Sequence, residues 1–173
     1  MRDSDVLADA YRFAREAHEG PRRRVETSIE HPSAVAELLA GAGYSQHVVV
    51  AALLHDVVED TETGVAELAQ RFGPDVARLV AQLTEDPEIE SYMERKGELR
   101  QRAAGDGHSA AAIFTADKLA SARALNTGGR RPEAEKLEHY ERTVRLVRRH
   151  HPEVPFLDEL AAQVAQLRER AGD

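Results

Sequence analysis

The sequence predicts an all-α fold, a helical bundle of about eight or nine helices in a single domain. Apolar residues recur at three- and four-residue spacing along most of the chain, and no alternating strand pattern interrupts them. Gly and Pro clusters at 20–21, 41–43, 73–74, 105–107 and 128–132 cut the chain into helix-length pieces. With 173 residues, 42% of them apolar and 31% charged, the chain is long enough for one substantial core and has an ordinary water-compatible composition.

Residues 5–18 form the first amphipathic helix, with Val6, Leu7, Ala10, Phe13, Ala14 and Ala17 on its apolar side, and Gly20-Pro21 stops it. A polar loop, R-R-R-V-E-T-S-I-E, then leads to His31-Pro32. Pro32 suits the first turn of a second helix over 33–40, because its missing N–H is not needed there. After G-A-G-Y, Ser45 is the expected N-cap of a third helix that ends near Glu59. Thr61 or Thr63 is the expected cap of a short helix over 65–72, and Gly73-Pro74 opens another over 75–83. Residues 88–104 read as a charged, weakly apolar helix exposed on much of its surface. The turn G-D-G-H precedes a helix over 110–125, capped by Ser109, whose A-A-A-I-F start is strongly apolar. N-T-G-G-R-R-P is a clear break. Pro132 opens a helix to about 150, and a last helix covers 156–170.

Net charge is −8, which weighs against a duplex nucleic-acid partner. A small anionic substrate remains compatible, since only the local field at its site counts. The chain has no cysteine, so there is no disulfide framework or thiolate site, and any metal must use His, Asp or Glu. No apolar stretch is long enough to span a membrane and the start, M-R-D-S-D-V-L, lacks a signal-type run. A cytoplasmic location with no membrane partner is therefore expected.

Chemistry concentrates in the stretch 48–61, V-V-V-A-A-L-L-H-D-V-V-E-D-T. On a continuous helix His55, Asp56 and Glu59 share a face. They fall at its C-terminal end, where the dipole favours cations and disfavours unpaired carboxylates. A bound divalent metal would turn that arrangement favourable. The other reading is a helix end that surfaces, with Glu59 and Asp60 solvated and His55 hydrogen-bonded at the edge of the core. His31, just before a helix, and Asp117, midway along the apolar run A-A-I-F-T-A-D-K-L-A, tip the balance. Asp117 has an alternative use, pairing with Lys118 or Arg123. Two His and two Asp would suit Mn, Fe, Mg or Zn.

His31, His55-Asp56 and Asp117, in that order, resemble the H…HD…D signature of the HD superfamily of metal-dependent phosphohydrolases. More narrowly, HP-x-x-V-A-x-L-L, A-A-L-L-H-D-V-V-E-D-T, F-G-x-D-V-A-x-L-V and A-D-K-L resemble the hydrolase domain of the RelA/SpoT family and the small stand-alone alarmone hydrolases, over roughly residues 6–125. The resemblance implies a metal-dependent phosphohydrolase acting on a small, anionic, nucleotide-like phosphate ester, such as guanosine tetra- or pentaphosphate cleaved at its 3′-pyrophosphate. It implies one Mn²⁺, or another divalent metal, on His31, His55, Asp56 and Asp117, with Glu59 and Asp60 positioning or activating water. By looser correspondence, Arg23 or Arg24 would meet the nucleotide base, Arg95, Lys96 and Arg100 would be phosphate-facing cations, Lys118 would be either a further cation or a surface partner of Asp117, and Ser121 would stand at the substrate-binding sugar position. A homodimer is left open.

Three departures concern substrate reading. Ala120 and Ser121 stand where the family usually has an aromatic or His followed by the Asn that contacts the sugar. Phe114 follows Ile113 where a basic residue is common, and Ser28-Ile29-Glu30 replaces a Tyr before the HP. Two alternatives follow from them: a phosphatase of NADPH or another nucleotide, and a nucleotide-sensing module with weak turnover.

Overall fold

The structure is a computed structural model that describes residues 3–19, 28–105, 107–129 and 131–172. The described residues fold into ten helical segments and contain no β-strand. One segment is a single turn that follows its predecessor after a short break, so nine rods result, as the all-α expectation held. The chain divides into two compact units, Met1–Thr84 and Glu85–Asp173.

The first unit contains α1 (Asp3–Glu19), α2 (Glu30–Gly41), α3 (Gln46–Leu54), α4 (Val57–Asp60), α5 (Val65–Phe72) and α6 (Pro74–Leu83). Its axis is α3, where every residue from 48 to 54 is buried. A helix that is apolar all round must be covered on all sides; α1, α2 and α6 pack against it. Phe13, Leu39 and Leu68 complete the core from α1, α2 and α5. Between α5 and α6, Gly73 has φ 94°, a left-handed value that side-chain-bearing residues rarely adopt. This is how the chain reverses in a single residue before Pro74.

Arg71, at the end of α5, grips Asp9 of α1 through two parallel hydrogen bonds, Nε to Oδ2 at 3.1 Å and Nη2 to Oδ1 at 3.0 Å. Its guanidinium also lies 4.6 Å from the Phe13 ring centre. The Arg71 bond holds the Asp9 carboxyl below the usual carboxylate range. A two-pronged pair on an aromatic face is stronger than an ordinary surface ion pair. Arg71→Ala is expected to lower stability by about 1 kcal/mol, read as a shift in the urea midpoint. An unchanged midpoint would mean the pair is ornamental.

The second unit contains α7 (Tyr92–Gly105), α8 (His108–Thr127), α9 (Ala134–His150) and α10 (Leu157–Gly172). Here α8 is the central rod: residues 110–116 are all buried, and α7, α9 and α10 pack on it. Leu137, Tyr140 and Val147 of α9 and Leu160 and Leu167 of α10 close the core.

Several boundaries differ from expectation. The third helix does not run unbroken to Glu59: it stops at Leu54, turns at His55-Asp56 and resumes for one turn over Val57–Asp60. Helix α2 starts earlier than predicted, so His31 lies in its first turn rather than before it. The caps of α5 and α8 are Gly64 and Gly107, not Thr61 or Thr63 and not Ser109. Ser45 holds the predicted cap position of α3 but makes no capping bond, its hydroxyl lying 3.1 Å from His47 Nδ1 instead. Helix α7 begins at Tyr92 rather than 88, because side chains satisfy the preceding backbone locally. Asp86 Oδ1 accepts the Glu88 N–H at 2.9 Å, and Arg95 Nη1 donates to the carbonyls of Ile89 and Glu90. That helix is also less exposed than its composition suggests, since Leu99, Arg100, Ala103 and Ala104 are buried.

Candidate functional site

The first unit gathers His31, His55, Asp56, Glu59 and Asp60. The break after Leu54 is what aims them: α3 delivers His55 from the core, and the turn lifts Asp56 to a half-buried position beside it. His55 Nδ1 lies 2.7 Å from the Ala52 carbonyl, which can only accept, so Nδ1 carries the proton and Nε2 presents its lone pair. That Nε2 stands 3.0 Å from Asp56 Oδ1. A ring lone pair facing a carboxylate oxygen at this distance is repulsive unless a proton or cation lies between them. His31 adds a third donor. Its Nε2 is 3.9 Å from Asp56 Oδ2 and its ring centre 5.5 Å from that of His55. Two imidazole nitrogens and a carboxylate, one imidazole pinned by a backbone carbonyl, fit a hard or borderline divalent cation.

Asp60 is buried and Glu59 half-buried on α4, one turn beyond His55 and Asp56. The Asp60 N–H donates to the Asp56 carbonyl at 2.9 Å, so this turn is tied to the one that carries His55 and Asp56.

In the second unit, Asp117 is mid-way along α8 and paired with Lys118, whose Nζ lies 4.8 Å from the Phe114 ring centre. Buried Glu85 receives both Arg95, at 2.6 Å, and Lys96. Arg95 also spends Nη1 on backbone carbonyls, so its guanidinium is committed to holding the start of α7. Arg100 is buried and donates to His139 Nδ1 at 2.5 Å. Ser121 bonds Tyr140, whose phenol burial pushes up to about 12. Arg23 and Arg24 lie outside the described residues.

Three residues of α9 belong to this neighbourhood and escaped the sequence reading: Lys136, His139 and Tyr140. Spaced at three and four positions, they share a helix face. Burial, then Lys118 and Lys96, push the Lys136 amine below its ordinary value. The second unit thus concentrates cations that Glu85 and Asp117 offset only in part, a field suited to a polyanion.

Burial, with Lys118, Lys96 and Arg100 nearby, drives His139 from 6.5 down to about 2. It stays neutral in the fold, as its acceptance of the Arg100 hydrogen requires. In the unfolded chain His139 takes up a proton below pH 6.5, so the unfolded state binds more protons between about 2 and 6.5. Stability from this residue is complete above pH 6.5 and is lost as pH falls, by at most about 1.4 kcal/mol per pH unit. His139→Gln, which keeps an acceptor for Arg100, is expected to flatten the fall in melting temperature between pH 6.5 and 4.5. Parallel curves for the two proteins would contradict it.

The HD domain family matches residues 10–144. The chain belongs to the HD-domain family. This HD protein is 38% identical over 126 residues to the zebrafish (Danio rerio) guanosine-3′,5′-bis(diphosphate) 3′-pyrophosphohydrolase MESH1, covering 70% of this chain and 69% of that one. It is 48% identical over 75 residues to the bifunctional (p)ppGpp synthase/hydrolase SpoT of Escherichia coli K12, covering 43% of this chain and only 11% of that much longer one. Among solved structures, a metazoan ortholog of SpoT described as hydrolysing ppGpp superposes with a TM-score of 0.75 at 29% identity, covering 94% of this chain and 95% of that one. A crystal structure from Listeria monocytogenes EGD-e gives 0.73 at 31% identity, covering 80% and 94%. The HD motif, the helical fold and homology to the MESH1/SpoT-type hydrolases therefore agree. In addition, no described helix is long and apolar enough to cross a membrane.

Proposed function

We propose that this HD protein is a metal-dependent phosphohydrolase that removes the 3′-pyrophosphate of guanosine tetra- or pentaphosphate. The observation that carries this reading is the His55 lone pair held 3.0 Å from the Asp56 carboxylate, with His31 as third donor. His31, His55, Asp56 and, by the order of the HD signature, Asp117 would hold one divalent metal, Mn²⁺ being the family-based choice. A metal there supplies Lewis-acid polarisation of a phosphoryl oxygen and acidifies water. Glu59 and Asp60 would orient the attacking water and take its proton. Lys96, Lys118 and Lys136 would meet the negative charge of the phosphates, an electrostatic task in which preorganised cations count for most. Arg95 and Arg100, both engaged within the fold, would act by holding this cluster rather than by touching substrate. A cytoplasmic setting follows from this substrate class.

One observation favours a second reading, a nucleotide phosphatase acting on NADPH or a similar dinucleotide. Ala120 has no polar group for a sugar, and the Ser121 hydroxyl is engaged with Tyr140. A site built to bond a sugar hydroxyl discriminates strongly, and its loss alters specificity. Mn²⁺-loaded protein incubated with guanosine tetraphosphate, NADPH and simple nucleotides separates the two. Pyrophosphate from the alarmone supports the first, and orthophosphate from NADPH supports the second. Release of neither from any of them refutes hydrolysis of this class, and nucleotide binding without turnover would point to a sensing module.

A further inference from the structure

The second unit carries another group of metal-ligating side chains, away from the cation cluster around Lys118. His108 is the first residue of α8, His151 is the C-cap of α9, and Glu153 lies in the turn before α10. One ligand atom from each lies within 4.8 Å of the others. His151 Nε2 is 2.9 Å from the Ala104 carbonyl near the end of α7. A carbonyl only accepts, so Nε2 carries the proton and Nδ1 is left as a lone pair. That Nδ1 stands 3.5 Å from Glu153 Oε1, and His108 Nδ1 stands 2.9 Å from the same oxygen.

We infer that His108, His151 and Glu153 form a second, exchangeable divalent-cation site of the zinc class. Two ligand atoms of a tetrahedral zinc ion at about 2.1 Å from the metal are about 3.4 Å apart, close to the spacings here. Two imidazoles and one carboxylate are a common zinc donor set, with room for water as the fourth ligand. The Ala104 carbonyl supplies the hydrogen bond to the far ring nitrogen that orients a metal-binding histidine. Field effects balance: the C-terminal end of α9 at His151 favours a cation, while the N-terminal end of α8 at His108 opposes one and is offset by Glu153. The side chains of His108 and Glu153 are 42% and 56% exposed, so an ion can enter and leave without unfolding. An occupied site would join the end of α7, the start of α8 and the turn after α9. It is independent of the site proposed for hydrolysis.

Zinc stoichiometry of the full chain, measured by titration against a chromophoric chelator, tests this, with circular dichroism to verify folding. His55→Ala is expected to retain one zinc equivalent. Adding His108→Gln or Glu153→Gln to it should remove that equivalent or weaken its affinity at least tenfold. His108→Gln alone should keep hydrolytic activity. If the His55→Ala protein binds no zinc, or if neither added substitution changes its affinity, the second site is refuted, whatever the hydrolysis assays show. If instead wild type binds one zinc that His108→Gln removes and His55→Ala does not, the second site stands and the proposed catalytic metal falls.

Discussion

His55→Ala is expected to abolish phosphate release and to remove the metal proposed beside Asp56, leaving the fold intact. The orientation of the imidazole is locked from behind by the 2.7 Å bond from Nδ1 to the Ala52 carbonyl. Removing it strips the proposed ligand set of its pre-oriented nitrogen, and the remaining His31, Asp56 and Asp117 would hold an ion far more weakly against water. The expected loss in kcat is on the order of a thousandfold or more, equivalent to about 4 kcal/mol of transition-state stabilisation. Elemental analysis and phosphate release read the two effects separately. Glu59→Gln and Asp60→Asn serve as contrasts, since they should retain metal while losing turnover. Wild-type activity in His55→Ala would remove the proposed site altogether.

Phe114→Ala is expected to be the most destabilising single change in the second unit. Phe114 is the largest of the fully enclosed side chains on α8, 2% exposed, with the Lys118 ammonium over its ring and His139 at its edge. Truncation leaves a cavity the helix cannot collapse into, which costs about 3–5 kcal/mol. Urea denaturation should show a midpoint shift of that size. Phe114→Leu, which refills much of the space, should cost a fraction of it. The substitution also removes the aromatic face beneath Lys118, so a rise in KM should accompany the loss of stability. A midpoint shift below about 1 kcal/mol would show that the core repacks around the gap.

Most of the fold was legible because the elements are strongly periodic and punctuated. Gly73-Pro74 divided α5 from α6 at the observed residue, and α5 itself occupies its predicted span. What escaped notice was decided by bonds that periodicity does not encode. The interruption at His55-Asp56 has no Gly or Pro to announce it, and both residues keep right-handed backbone angles. The late start of α7 depends on Asp86 and on Arg95 reaching back to two carbonyls. For the site, His55, Asp56 and Glu59 were visible because they crowd the end of an apolar run. Lys136, His139 and Tyr140 were not, because α9 reads as an ordinary charged amphipathic helix and only tertiary packing brings its face beside Lys118. Their spacing was a signal, but one shared by every surface helix with a buried stripe.

The enclosure of residues 48–54 of α3 has a consequence for energetics. Its amide hydrogens should be among the slowest to exchange with solvent, opening only with the cooperative unfolding of the first unit. His55 is anchored to this segment, so the entropy of fixing it is expended when the chain folds and not when an ion arrives. Metal-free protein should therefore show the same far-ultraviolet circular dichroism as loaded protein. Added metal should raise the melting temperature by simple mass action, in proportion to the logarithm of its free concentration above the dissociation constant.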